Sequence, residues 1–134
     1  MEKYILDTNT WIEHFHSRNG VTEHIAKIPV SCLFVSEITL AELTFGAFYS
    51  KDYDRHIKEP QWLKKYITVL DISEVFEEYA KIRCALKRQR KNLDKEIGNF
   101  DILALHYGLT VVTDNIKDFE QMPGVKVENW ISRN

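Results

Sequence analysis

Three carboxylates stand out in this chain of 134 residues because each adjoins an apolar segment that is expected to be buried. Asp7 directly follows the apolar run Tyr4–Leu6, Glu42 lies in an apolar segment after a second such run, and Asp101 interrupts a third. Acids brought together at ~4 Å repel by ~1 kcal/mol per pair in water, and by several times more when partly buried. A hard divalent cation relieves this repulsion, and oxygen-only ligands favour Mg²⁺ or Mn²⁺ over zinc. Such ions most often serve phosphoryl or phosphodiester chemistry, where they polarise the phosphate and activate an attacking water.

Each of these acids also has a purely structural explanation. Asp7 could cap a helix over Thr8–Phe15, Glu42 could close a capping box with Thr39, and Asp101 could be a first-turn acid that the helix dipole favours. A helix that begins directly after the preceding strand would instead point Glu42 toward the edge of the sheet. The acids are therefore weak signals singly and a stronger one together.

Short runs of branched apolar residues alternate with longer segments of helical period, which predicts a parallel sheet wrapped by helices. Ser73 is the expected N-cap of the longest helix, and a further helix is expected from about Asn99 to Tyr107, ended by Gly108. The pattern predicts one three-layer α/β domain over residues 1–134. The predicted strands are Tyr4–Leu6, Leu33–Val35, Ile67–Leu70, Leu109–Thr113 and Val125–Val127.

Polar side chains that follow the strands are expected to lie at the edge where open α/β sheets bind ligands. They are Asp7, Ser36, Asp71, Asp114, Asn115 and Asp118.

The formal net charge of -2 argues against a protein that binds polyanions through bulk charge. Positive charge is nevertheless concentrated in Lys81–Lys91, which holds six of the 18 cationic residues and no acid. This segment suits contacts with a phosphate backbone, and it equally suits a solvated helix end whose cations complement the dipole.

The remaining residue types indicate no further chemistry. Cys32 and Cys84 are not at metal-binding spacing and are expected to be small buried side chains in a reducing compartment. The five histidines are expected to have surface or packing roles, and the aromatic residues of the first helices to pack in the core, with any exposed ones forming a partner surface. No signal peptide and no apolar run of about 18 residues is evident, so we expect a soluble, cytoplasmic protein without a membrane partner.

Four segments resemble, in order and spacing, the motifs of the PIN domain, most closely those of VapC-type toxin ribonucleases from toxin–antitoxin pairs. They are Ile5–Asn9, Val35–Leu43, Ile97–Ala104 and Val111–Phe119. The resemblance implies an α/β/α sandwich and an Mg²⁺- or Mn²⁺-dependent endoribonuclease, commonly a homodimer, that a cognate antitoxin holds inactive.

By motif match, Asp7, Glu42 and Asp101 carry over as the acidic metal ligands. The fourth acidic position falls at Asn115, where relatives have Asp or Asn, and Asp118 could support the metal through a water. This departure favours one firmly held ion. The small polar residues that match those orienting the acids are Thr8, Asn9, Ser36 and Thr113.

The expected reaction is in-line attack of an activated water on an RNA phosphodiester, leaving a 5′-phosphate and a 3′-hydroxyl, with Asp101 or Asp7 as the proton acceptor. A haloacid dehalogenase-type phosphatase would need an acid where Asn9 stands. A receiver-like domain would need a phosphorylatable Asp at its middle strand and a strand-borne Lys, and neither is evident. The alternative from another class is a catalytically silent PIN domain that binds RNA or protein, which Asn115 leaves open.

Overall fold

A parallel five-stranded sheet forms the centre of the structure, a computed structural model that describes residues 1–89, 95–120 and 122–133. The strand order is β3-β2-β1-β4-β5. Leu6 of β1 is in register with Val112 of β4, so the residues that follow these two strands emerge side by side. The predicted parallel sheet is confirmed. The strands are β1 (Tyr4–Leu6), β2 (Leu33–Ser36), β3 (Thr68–Leu70), β4 (Thr110–Val112) and β5 (Lys126–Glu128).

Helices cover both faces of the sheet, as the predicted three-layer architecture requires. Because successive side chains of a strand point to opposite faces, Ile5 packs into one hydrophobic cluster with Leu103, and Leu6 packs into the other with Trp11. The α-helices are α1 (Thr8–Phe15), α2 (Val21–Ile25), α3 (Glu37–Tyr49), α4 (Tyr53–His56), α5 (Lys58–Tyr66), α6 (Phe76–Arg88), α7 (Lys95–Tyr107) and α8 (Ile116–Phe119); Val30–Cys32 and Ile72–Val75 are 3₁₀ turns.

Helix α3 begins at Glu37, directly after β2, because the Ser36 hydroxyl accepts a hydrogen bond from the Ile38 amide at 3.1 Å. The explanation of Glu42 as part of a capping box with Thr39 is therefore wrong. Both residues lie inside the helix, and Thr39 is fully buried.

Two other helix starts differ from prediction. Asp71, not Ser73, is the capping residue: its Oδ1 accepts from the Ser73 amide at 2.9 Å and begins a 3₁₀ turn that leads into α6. Helix α7 begins at Lys95 and ends at Tyr107 before Gly108, whose φ of 67° suits a left-handed helix end. Asp101 consequently lies in the second turn of α7, so its explanation as a first-turn acid is wrong.

Several apolar residues are more exposed than expected. Trp11 is buried, but Phe45, Phe48 and Tyr49 of α3 are 67%, 70% and 84% exposed. Cys32 is buried as expected, whereas Cys84 on α6 is exposed. The prediction that these aromatic residues pack in the core is therefore wrong for those in the second half of α3.

No described helix is both long enough and apolar enough to cross a membrane.

Trp11→Ala should lower the free energy of unfolding by about 3–5 kcal/mol, because it empties a fully buried aromatic site between α1 and the sheet. Urea unfolding followed by circular dichroism measures this loss. Tyr49→Ala is the control, and its highly exposed ring predicts a change within about 0.5 kcal/mol. Equal losses of unfolding free energy in the two variants would contradict the structure, in which Trp11 is buried and Tyr49 is exposed.

Candidate functional site

Asp7 is a buried carboxylate held by hydrogen bonds from two elements. Its Oδ1 accepts from the amide and hydroxyl of Thr10 at 2.9 and 2.7 Å, and its Oδ2 accepts from the hydroxyl of Thr113 at 2.5 Å. The capping explanation is thus correct for Oδ1, since Asp7 is the N-cap of α1. Oδ2, in contrast, is bound across the sheet by the residue that follows β4.

The environment of Asp7 acts on its acidity in both directions. Burial raises the pKa of Asp7, while the hydrogen bonds from Thr113 and Thr10 lower it, and the negative charge of Asp114 raises it again. Burial is the largest of these effects, so the net pKa is raised. Asp114 is itself paired with Arg133 near the end of the chain, at 2.7 Å.

A chain of hydrogen bonds continues from Asp7 to α8. The Thr113 hydroxyl accepts from the Asn115 amide at 3.0 Å, and the Asn115 side-chain amide donates to Asp118 Oδ2 at 2.9 Å. Asn115 is exposed and Asp118 is half-buried. The structure thus joins Asp7, Asn115 and Asp118 through Thr113.

Asp101 is fully buried on α7, and neither of its carboxylate oxygens has a hydrogen-bond partner among the described residues. Burial raises its pKa to about 8. An ionised carboxylate in such surroundings is costly unless a proton or a cation accompanies it. Asp101 therefore offers two oxygen atoms that the described part of the fold leaves unused.

Glu42 is half-buried on α3 and lines a cleft of about 350 Å³ together with Thr8 and Asn9. We call this the α1–α5 cleft, because α1, α3, α4 and α5 form its walls. The Thr8 hydroxyl is 3.0 Å from that of Thr39, which ties α1 to α3 beside the cleft.

The donor set fits a hard cation in its chemistry, although the ligands are not assembled around one point. In the described residues, no three His, Cys, Asp or Glu side chains are grouped closely enough to hold a metal ion. Asp7 and Asp101 are nonetheless buried, oxygen-only donors, and the oxygens of Asp101 have no described hydrogen-bond donor.

The basic segment is split between described and undescribed residues. On α6, Lys81 pairs with Glu77 at 3.2 Å and Arg83 donates to the Tyr79 hydroxyl at 3.2 Å, while Lys87 and Arg88 form an exposed last turn. Arg90 and Lys91 lie outside the described residues. Cations at this end complement the helix dipole, as one interpretation of the sequence expected.

Most histidines have the structural roles that were expected. His24 stacks on Trp130 at 4.1 Å, and His106 Nδ1 lies 2.6 Å from Glu78. His56 has a position that its sequence pattern did not predict: it lines the α1–α5 cleft, with its Nδ1 3.3 Å from Glu59 Oε1. The spacing of three residues on adjoining short helices was the available signal for this pair.

Thr10 is a second residue whose position the sequence pattern did not predict. An Asp followed three residues later by a Thr at the start of a helix is the signal that could have identified it as a donor to Asp7.

The sequence and the fold match known proteins along most of the chain. A family model for the PIN domain matches residues 4–125. The tRNA(fMet)-specific endonuclease VapC of Salmonella typhimurium is 34% identical over 138 aligned residues, which cover 97% of this chain and 99% of that protein. Ribonuclease VapC1 of Haemophilus influenzae is 31% identical over 134 residues, covering 95% and 97%.

Solved structures agree with this relationship. A chain in the crystal structure of DNA-bound VapBC from Salmonella typhimurium has a TM-score of 0.84 and 30% identity, covering 97% of this chain and 99% of that chain. VapBC-1 from nontypeable Haemophilus influenzae has a TM-score of 0.77 at 28% identity, covering 95% and 97%. The chain therefore belongs to the PIN domain family, and within it to the VapC ribonucleases.

The contribution of Asp101 to the free energy of unfolding, measured in chelator as the difference between the parent chain and Asp101→Asn, should fall as the pH rises from about 4 to about 8. Folded Asp101 keeps its proton up to a pKa of about 8, whereas the unfolded chain loses it at the ordinary, lower pKa. Protonated Asp101 therefore makes its full contribution to the free energy of unfolding below the pKa of Asp101 in the unfolded chain. This contribution falls by up to ~1.4 kcal/mol per pH unit as the pH rises to about 8.

Asp101→Asn should remove this part of the pH dependence, because its amide does not titrate. Urea unfolding of both chains at several pH values between about 5 and 8 measures the difference. If the free energy of unfolding depended on pH in the same way in both chains, Asp101 would not be the group that causes this dependence.

Proposed function

We propose that the chain is an Mg²⁺- or Mn²⁺-dependent endoribonuclease that acts as the toxin of a toxin–antitoxin pair, as one PIN-like domain over residues 1–134. The substrate is RNA, and the reaction is hydrolysis of its phosphodiester bonds. Relatives at 34% and 31% identity that are named endonuclease and ribonuclease support this activity.

The observation that carries the proposal is the state of Asp101. A fully buried carboxylate without a described hydrogen-bond donor lowers stability, and such a residue is typical of functional sites. A bound divalent ion would compensate its charge. A silent binding module would have no use for this group, so the catalytic function is favoured over that alternative.

We assign Asp7, Glu42 and Asp101 as metal ligands, with Asn115 and Asp118 completing the catalytic set. When bound by these residues, such an ion would supply positive charge to the phosphate and would lower the pKa of the attacking water. Thr113 and Thr10 hold Asp7 in one orientation, and their hydrogen bonds favour its ionised, ligating form. Asn115 holds Asp118 near the same sheet edge.

The proposed partners are a cognate antitoxin and a second copy of the chain, in the cytoplasm and without a membrane contact. A relative of known structure is described as VapBC, and the resemblance to toxin ribonucleases implies an antitoxin for this chain. The exposed rings of Phe45, Phe48 and Tyr49 offer apolar area for such protein contacts.

Asp7→Asn and Asp101→Asn should each reduce Mg²⁺-dependent cleavage of single-stranded RNA by at least about a hundredfold, because each removes a charged ligand. Gel analysis of an end-labelled RNA, with and without chelator, measures the rate. Asp71→Asn is the matched control, since Asp71 also follows a strand but is exposed and outside the site. Parental cleavage by purified, folded Asp101→Asn would make the assignment of this ligand wrong.

Lys87→Gln/Arg88→Gln should weaken RNA binding and lower the slope of log K against log salt by about one per lost phosphate contact. Fluorescence anisotropy in chelator measures binding without cleavage. Lys3→Gln/Lys126→Gln removes the same charge at the start of β1 and β5, the sheet edge opposite the acids, and should leave the slope unchanged. A parental slope in the α6 variant would mean that the basic segment only caps its helix.

A further inference from the structure

The function proposed above gives no role to His56 and Glu59, which line the α1–α5 cleft. Thr8 and Asn9, which directly follow Asp7 in sequence, also line this cleft, together with Glu42. Ser50, His56 and Glu59 contribute polar groups from the end of α3 and from α4 and α5. A substrate bound at the acids would therefore have this cleft beside it.

The walls of the cleft combine apolar surface with a polar pair. Ile12, Leu43 and Ala47 supply the apolar surface. The His56 and Glu59 side chains are 29% and 20% exposed, and the contact between His56 Nδ1 and Glu59 Oε1 leaves Nε2 as the ring nitrogen that Glu59 does not engage. Unstacked nucleobases are recognised by stacking on planar side chains such as histidine and by hydrogen bonds to their edges, and the lining of the cleft includes His16 and His56 beside its apolar residues.

The charge and size of the cleft favour a base over a phosphate. Glu59 lines it and is not one of the proposed metal ligands, and such a carboxylate repels phosphate but accepts hydrogen bonds from the N–H groups of a base edge. Its volume of about 350 Å³ lies within the range of small-ligand pockets. Free space lies beside Gly46, which lines the cleft, because a Cβ built on that residue would meet no atom within 4 Å.

We propose that the α1–α5 cleft binds the base of one RNA nucleotide next to the cleaved phosphodiester, and that the His56–Glu59 pair determines which base is accepted. This inference rests on the ribonuclease function proposed above. Glu59 accepts hydrogen bonds from the base edge, and His56 holds Glu59 in position. Both are specificity-determining residues, and neither takes part in the cleavage chemistry.

Mapping of cleavage sites on a mixed-sequence RNA tests the role of the pair. Glu59→Gln and His56→Gln should change the relative rates at different bases by about tenfold, while the summed cleavage rate changes less. The control is His106→Gln, which breaks another His–Glu pair, between α6 and α7, that does not line the cleft. An unchanged map for Glu59→Gln and His56→Gln, in chains that fold and cleave, would overturn the inference and leave the ribonuclease function standing.

A steric variant tests the cleft without altering the pair. Gly46→Leu adds a side chain to open space within α3, so the helix is retained while the cleft is filled, and Gly46→Ala is its small control. Titration of the four nucleosides, which carry a base but no phosphate, should show at least tenfold weaker binding for Gly46→Leu and near-parental binding for Gly46→Ala.

The titration also separates the two proposals. If the parent chain cleaves no RNA but binds nucleosides in a manner that Gly46→Leu abolishes, the ribonuclease function fails and the base site stands. If Gly46→Leu binds them as the parent does, or if the cleft proves to hold a protein partner's side chain instead, the base site is wrong.

Discussion

The hydrogen bond that Thr113 donates to Asp7 is the contact on which the candidate site depends. It joins the residues that leave two neighbouring strands, and the register of Leu6 with Val112 brings those residues side by side. The same Asp7 carboxylate begins α1 through Thr10, and the same Thr113 hydroxyl accepts from Asn115. The parallel sheet therefore fixes the acid, the first helix and the entry to α8 through one buried pair of side chains.

A buried carboxylate at this position carries an electrostatic cost that the fold offsets unequally. Three hydrogen bonds from two residues favour the ionised form of Asp7, although burial still raises its pKa. Asp101 receives no such donors from the described residues, and its pKa is raised to about 8. This difference fits a proposed site in which protein hydrogen bonds already stabilise the negative charge of Asp7. The charge of Asp101 would instead be stabilised by a bound cation.

Local sequence patterns predicted the strands, because each strand is a short apolar run that can be recognised from adjacent residues. The residues at the sheet edge follow from the strands themselves. The strands were identifiable as short branched runs, and parallel strands necessarily bring their carboxyl ends to one edge. Ser73 was wrongly taken as a cap because Asp71, two residues earlier, offers a better acceptor for the same turn. The exposure of Phe45 and Phe48 was not predictable, because periodicity identifies apolar helix positions but not whether another element covers them.

The candidate site was only partly predictable, because sequence patterns do not show how distant elements pack against one another. The motif positions identified Asp7 and Asp101, but the lack of described donors at Asp101 is a property of tertiary packing. The positions of His56 and Glu59 were not predictable because their meeting with Asn9 and Glu42 depends on how α1, α3 and α5 pack around the cleft. A net charge of -2 excluded only indiscriminate binding to polyanions, since the buried acids and the cations of α6 are averaged in that total.

If a divalent ion binds Asp101, it stabilises the folded chain, and thermal unfolding during titration with Mn²⁺ measures this effect. Binding to the folded chain should stabilise it by about 2.7 kcal/mol at a hundred times Kd, so the Tm of the parent should rise with Mn²⁺. Asp101→Asn should show little or no rise, whereas Asp71→Asn should follow the parent. Equal Tm shifts for the parent and Asp101→Asn, or no shift in either, would contradict the account.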